Sequence, residues 1–364
     1  MEVHNFIKSI NKSNDISYNY DELKNILKND YNLYVNESEK YENLYLLKCD
    51  EDNCDLDDPM IRDSQGTIFE KNTNKIICNP LKRAFTVFDF DKNNINLNDC
   101  NIYKIHDGTR IHMWYYNGEW NFSTGGCINA ATTNWIGKQY FLDCFNECTD
   151  GKLDLSKCDI NNTYIFILQH PEHRNIAKVK KYVYHIATRS NITGNEIDCN
   201  IGIDKPEIIK FDSFEQMNEC LDRMNYNDVG YIICYNNSRY KLHCADFIKI
   251  KNMKGNTKNM TFQLLTLYND NNIDNFLNHF PEYHREWAEI QINLNKISKK
   301  IYYEYHNKFV KKQDITFTKH FYPTIRNLHE SYLKNKTPTT PQYVHKYIMK
   351  YPPNLLTSFI SKNN

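Results

Sequence analysis

Residues 103–122 read YKIHDGTRIHMWYYNGEWNF, and this stretch decides the fold class. Residues 111–116 and 119–122 are β-prone runs on either side of Asn117-Gly118, a dipeptide suited to the positive φ angles of a two-residue hairpin turn. A hairpin is predicted here. Outward from it the pattern repeats. Residues 66–70 and 75–78 flank an Asn/Thr turn, and residues 230–234 and 239–243 bracket Asn236-Asn237-Ser238. Residues 164–168 read as a buried strand, and 182–188 alternate.

Upstream, Leu23, Ile26 and Leu27 mark an amphipathic helix, followed by the apolar segment Leu44-Tyr45-Leu46-Leu47 and an acidic run from Asp50 to Asp58, read as a solvated loop. Downstream of about residue 260, Trp287, Ile290, Leu294, Ile297, Ile301 and Tyr305 step by three and four, one apolar stripe of a long helix. Pro338, Pro341, Pro352 and Pro353 punctuate shorter helices. The fold class expected is α+β: an antiparallel-sheet domain over 1–255, then an all-helical domain over 256–364.

The 364 residues fit two domains. Forty-five Lys+Arg balance forty-five Asp+Glu, so no bulk cationic field marks a nucleic-acid binder. Eleven Gly and ten Pro exclude collagen-like and low-complexity classes, and 27 Tyr with 19 Phe supply large buried areas. No apolar run approaches the roughly 18 residues of a membrane span, and the start, MEVHNFIKSINKSN, lacks the apolar core of a signal peptide. An intracellular, cytoplasmic chain with no membrane partner is expected, its twelve cysteines reduced. Cys49 with Cys54 and Cys144 with Cys148 lack zinc-ligand spacing, and no metal site is expected.

Six short motifs stand in sequence order: Gln65-Gly66-Thr67-Ile68-Phe69; Lys82 to Phe88; Ile105-His106-Asp107-Gly108-Thr109; Phe166-Ile167-Leu168; Val229-Gly230-Tyr231-Ile232; and Lys241-Leu242-His243. Their order resembles the covalent nucleotidyltransferase superfamily, most closely the phage-type ATP-dependent RNA ligases. That family carries an Arg-Gly strand, a Phe-rich turn, a Lys-x-Asp-Gly nucleophile loop, Phe-Glu and Glu-Gly strands and a Lys-x-Lys strand. The resemblance implies a ligase-type nucleotidyltransferase domain followed by a helical accessory domain. It also implies a lysine amine that attacks the α-phosphate of ATP, with carboxylates holding Mg and the lysine pair neutralising phosphate.

The departures concern that chemistry. Ile105 stands where the nucleophile belongs, Ile167 and Val229 replace the two glutamates, and His243 takes the second lysine position. Gln65 replaces the arginine before glycine, and Val87 stands where a lysine is usual in the Phe-rich turn. An isoleucine has no lone pair and a valine no metal-binding oxygen. The resemblance therefore implies an RNA-ligase-like protein without lysyl-AMP chemistry. It would keep a nucleotide or RNA pocket around Asp107, Gly108, Thr109, Arg174 and Lys241.

Two other readings are open. Lys104, one residue early, could be brought in by a bulge, with Asp228 as a displaced carboxylate; the chain would then be an active ligase using ATP and Mg. Alternatively, the old cleft is filled by apolar groups and binds a protein partner. His106 would occupy the variable position, facing away. Lys178, Lys180, Lys181 and Arg189, with Tyr182 and Tyr184 interleaved, suit single-stranded RNA, although a solvated strand face is the plainer account. No Gly-rich phosphate loop, Gly-x-Ser-x-Gly elbow or HExxH helix is present.

Overall fold

The computed structural model describes residues 2–3, 5–6, 20–50, 53–71, 73–86, 95–134, 139–236, 238–255, 257 and 259–363. Val87, Phe88 and Asn237, used in the sequence reading, lie outside them. The chain forms two compact units, Met1–Ile248 and Lys249–Asn364.

The first unit opens with α1 (Tyr20–Tyr31), whose Leu23 and Leu27 are buried. The β region begins well before Gly66. β1 (Leu33–Asn36) and β2 (Leu44–Cys49) pair antiparallel, and the short α2 (Pro59–Ser64) follows. Leu44 to Leu47 are fully buried, because β2 is covered on both faces and therefore reads as a continuous apolar run. The acidic run is not wholly solvated in character: Asp58 caps α2, its carboxylate accepting from the amides of Met60 and Ile61. β3 (Ile68–Glu70) and β4 (Ile76–Cys78) complete a four-stranded sheet in the order β1-β2-β3-β4. One of its faces packs on α1 through Tyr45, Leu47 and Phe69, and the other packs Leu46 and Ile68 against Trp114.

The remaining strands form two five-stranded sheets. In chain order they are β5 (Phe85–Thr86), β6 (Asn101–Lys104), β7 (Thr109–Tyr116), β8 (Glu119–Thr124), β9 (Asn162–Gln169), β10 (Tyr182–Ser190), β11 (Glu196–Ile197), β12 (Ile208–Ile209), β13 (Gly230–Tyr235) and β14 (Ser238–His243). Their orders are β11-β10-β9-β7-β8 and β12-β6-β13-β14-β5. All pairings are antiparallel except β14 with β5, which are parallel. Tyr116 stands opposite Glu119, with Asn117 and Gly118 both at positive φ between them, the predicted hairpin. The α3 helix (Phe141–Thr149) covers one face of the first sheet, burying Phe141, Cys144 and Phe145 against Ile111, Phe166 and Leu168. The α4 helix (Phe214–Asp222) covers one face of the second, burying Phe214 and Met217 against Ile102, Tyr231 and Ile233. The α5 helix (Ala245–Lys254) follows β14.

The second unit is helical: α6 (Met260–Asn269), α7 (Ile273–His279), α8 (His284–Tyr305), α9 (Tyr322–Asn335), α10 (Pro341–Ile348) and α11 (Pro353–Ser361). All six residues of the predicted stripe are buried on α8. Pro341 and Pro353 sit in the first turns of their helices, where the missing N–H is no loss. No described helix is long and apolar enough to cross a membrane. All twelve cysteines are free thiols.

Candidate functional site

Strand alternation decides which motif residues can share a site. On β6 and β13, Lys104 stands opposite Tyr231, Tyr103 opposite Ile232 and Ile102 opposite Ile233, without a register shift. Ile102, Tyr231 and Ile233 face α4, so Lys104 belongs to the α4 side. Tyr103 and Ile232 belong to the other face, joined there by Lys241, which pairs with Ile232 on β14. The ladder continues one step past β6, where the Ile105 amide donates to the Gly230 carbonyl at 2.9 Å. Ile105 therefore continues the face of Tyr103 and Lys241. No bulge brings Lys104 around, and its ammonium lies 2.7 Å from the Asp228 carboxylate. The two residues considered as displaced nucleophile and displaced carboxylate are each other's partners.

Val229 is buried and lies at φ 60°, a left-handed conformation that is costly for a β-branched residue. Gly230 follows at φ 142°, and a Cβ there would fall 1.9 Å from the Leu242 carbonyl oxygen. No side chain can be accommodated at Gly230.

The opposing sheet contributes Ile167, which stands beside Arg110 on β7 and Tyr184 on β10. Arg110 was not singled out in the sequence reading; the alternation along β7 was the available signal. His106, expected to face away, stacks on Tyr184 with ring centroids 3.8 Å apart. Burial, and then the charge of Lys104, lower the His106 pKa to about 4, so its ring is neutral at pH 7.

The remaining predicted site residues are occupied in building the loop. One Asp107 carboxylate oxygen accepts from the amides of Ile176 and Ala177 at 2.7 and 2.8 Å, and its carbonyl accepts from the Gln169 side chain at 2.9 Å. A Cβ on Gly108 would fall 2.4 Å from the Leu168 carbonyl oxygen, so the loop lies directly on β9. Thr109 stands opposite Leu168, on the face that packs under α3. Arg174 turns its guanidinium onto the carbonyls of Ile176 and Ala177. Gln65 bridges two backbones, accepting from the Cys49 amide and donating to the Gly125 carbonyl. His243 stands opposite Gly230, and its ring lies 5.2 Å from that of Phe247.

The basic stretch is also largely structural. Arg189 is buried, 3.2 Å from Asp63 and donating to the carbonyls of Pro80 and Gly194. Lys181 is paired with Glu147, and Tyr182 with Asp204. The donor set does not fit the magnesium that the resemblance implies: at the positions where the resemblance sets carboxylates the chain has Ile167 and Val229. Among the described residues, no group of three or more His, Cys, Asp or Glu could hold a metal ion.

No family model matches the chain. Over 251 residues it is 23% identical to a protein of Autographa californica nuclear polyhedrosis virus assigned as a bifunctional polynucleotide kinase/RNA ligase. The match takes in 62% of this chain but only 36% of that relative's length. Among solved structures, an archaeal ATP-dependent RNA ligase is similar at 9% identity and a TM-score of 0.43, over 72% of this chain and 68% of its own. A protein of Aquifex aeolicus assigned as an ATP-dependent DNA ligase gives 14% and 0.43, over 74% and 72%. An RNA ligase of Naegleria gruberi, solved with pyrophosphate, gives 11% and 0.31, over 41% and 50%. At these scores the structural likenesses are distant. The chain is thus similar, over part of that relative's length, to a protein assigned as a polynucleotide kinase/RNA ligase, and its motif order resembles that of the covalent nucleotidyltransferases.

Proposed function

We propose that this RNA-ligase-like protein does not form a lysyl-nucleotide and acts by binding nucleotide or RNA without covalent chemistry. The observation that carries this reading is the unbroken β6–β13 ladder. It sets Ile105 on the face of Lys241 and Lys104 on the face of α4, paired with Asp228. An ammonium engaged by a carboxylate on the α4 side is turned away from a ligand on the Ile105 face and is not placed to act as its nucleophile. Ile167 and Val229 add no oxygens for a cation. For a ligand on this face we read Lys241 and Arg110 as phosphate partners and the stacked pair His106–Tyr184 as an aromatic wall against which a base can lie.

The test is transfer of α-labelled adenylate from ATP, in magnesium and in manganese, to the full chain. No label that survives denaturation is expected. A stable label that disappears in Lys104→Ala would overturn the reading and make the chain an active nucleotidyltransferase. Equilibrium binding of ATP and of single-stranded RNA completes the test. Lys241→Ala is expected to weaken the bound probe about tenfold. If neither probe binds, the scaffold reading takes its place.

A further inference from the structure

Cys49 closes β2, where it stands opposite Leu33 of β1. It is buried in the apolar cluster that joins α1 to β1 and β2, and the half-buried Cys54 packs against the same cluster. A turn brings the second cysteine back to the first: the Asp50 carbonyl accepts from the amides of Asn53 and Cys54 at 3.1 and 2.8 Å. The Cys54 thiol donates to the Asn32 carbonyl at 3.2 Å and lies 3.5 Å from the Tyr31 carbonyl. The Asp50 amide donates to that same Asn32 oxygen at 3.3 Å. One carbonyl at the junction of α1 and β1 therefore fixes both ends of the turn. The Cys49 thiol completes the arrangement with a hydrogen bond to the Cys54 sulfur.

The spacing of these two cysteines does not suit zinc, and two sulfurs without further ligands do not close a metal site. Contact between two thiols is instead what disulfide formation requires, because one sulfur has to reach the other. Their exposures differ. Solvent can reach Cys54, whereas Cys49 is only 2% exposed. Burial raises the Cys54 pKa, and the Asp50 carboxylate adds to it, while a hydrogen bond from the Asp50 backbone, the Cys49 thiol and Arg83 oppose it. The thiolate is the reactive form, so this pair responds slowly to an oxidant and is no peroxide scavenger.

We propose that Cys49 and Cys54 are a reversible dithiol–disulfide pair, oxidised by a hydroperoxide. In the first step the Cys54 sulfur takes one oxygen as the O–O bond breaks; the thiol becomes a sulfenic acid, and the rest of the hydroperoxide leaves as an alcohol, or as water from hydrogen peroxide. In the second, the Cys49 sulfur attacks the Cys54 sulfur. The S–S bond forms, the S–O bond breaks, and the hydroxyl leaves with the Cys49 proton as water. Two thiols have then lost two hydrogens, and one peroxide bond has been reduced. Cys54 is the sulfur attacked by the oxidant and Cys49 the one that resolves it. Oxidation removes the S–H that Cys54 donates to the Asn32 carbonyl, so its effect falls at the α1–β1 junction. This pairing does not depend on how the face around Ile105 is used.

The experiment uses the full chain, fully reduced, freed of reductant and treated with hydrogen peroxide. The remaining thiols are then alkylated, and tryptic peptides are mapped by mass spectrometry without reduction. The peptide over residues 49–62 is expected to lack two hydrogens and to carry no alkyl group on either cysteine; dithiothreitol before alkylation should restore both. Cys49→Ser leaves no resolving sulfur, so with dimedone present an adduct should build up on Cys54 that the wild-type chain does not show. Cys54→Ser should leave Cys49 reduced and alkylated. The wild-type map decides the matter even if a variant does not fold. Both thiols of the peptide intact while other cysteines are oxidised, Cys54 driven to sulfinic acid without a link, or either sulfur joined to a different cysteine would each overturn the proposal.

Discussion

Asp107 provides a direct test of whether the Asp-Gly pair builds the site or serves a ligand. Its carboxylate accepts two amide hydrogens, from Ile176 and Ala177, and both donors belong to buried residues. A hydrogen bond to a charged group contributes about 1.5–3 kcal/mol, and a buried amide left without a partner costs a comparable amount. Asp107→Ala removes the one oxygen that accepts from both amides, so the loop over 174–177 should lose about 3 kcal/mol of local stability. Since 1.4 kcal/mol is a factor of ten, the two amides should exchange with solvent deuterium about 100-fold faster. Asp107→Asn retains one neutral acceptor and should fall between. Hydrogen-exchange mass spectrometry on the peptide containing Ile176 and Ala177 reads this out without requiring two-state unfolding of a two-unit chain. Unchanged exchange in Asp107→Ala would refute the reasoning and return Asp107 to the list of ligand-binding candidates.

Other outcomes follow from the same geometry. Gly108→Ala sets a methyl group 2.4 Å from the Leu168 carbonyl oxygen; it should cost about 1–3 kcal/mol in the first unit's denaturant midpoint, and a neutral result would mean that the loop stands off β9. Arg189→Met leaves Asp63 buried without the charge that faces it, so a loss of about 3–5 kcal/mol is expected, largely recovered by adding Asp63→Leu; no recovery would show that the guanidinium's carbonyl contacts, not the ion pair, carry the effect. Burial lowers the His185 pKa to about 4. The unfolded chain, with an ordinary His near 6.5, therefore binds the proton first. This contribution is fully present above pH 6.5 and declines as pH falls toward 4, by about 3 kcal/mol. Urea titrations at several pH values should show a shallower acid slope for His185→Phe than for wild type, and parallel slopes would count against it.

The sheet order was only partly legible in the sequence. Hairpins announced themselves through turn chemistry: Asn117-Gly118 fixed a two-residue connection and with it the register of β7 against β8. The stripe on α8 was legible because a half-buried helix imposes a 3.6-residue period. Residues 33–49 gave weaker signals, since β1 is only four residues long and β2 is buried on both faces, which erases alternation. The placing of residues 85–86 beside β14 was invisible, because it comes through a parallel pairing of β5 with β14, and parallel pairing leaves no local turn signature. For the candidate site, the motif order identified the segments, but which face each residue occupies needed the register.

The residues that preserve the resemblance and those that break it differ in what the fold demands of them. Asp107 anchors the 174–177 loop, Gly108 rests on the β9 backbone, and Gly230 passes the Leu242 carbonyl where no side chain fits. Substitution at any of them disturbs packing whether or not a nucleotide ever binds. The positions of Ile105, Ile167 and Val229 carry no such constraint: aliphatic groups fill them, and the ladders on either side continue. Val229 nonetheless sits at φ 60°, a conformation its own branched side chain disfavours by about 1–3 kcal/mol. The Asp228–Gly230 turn is thus held by its surroundings, through the Ile105 and Cys244 amides donating to the carbonyls of Gly230 and Val229. A motif match carried by Asp107, Gly108 and Gly230 therefore reports a backbone geometry. The resemblance sets the reactive groups of that chemistry at Ile105, Ile167 and Val229, so adenylate transfer is the measurement that separates an inherited backbone from an inherited reaction.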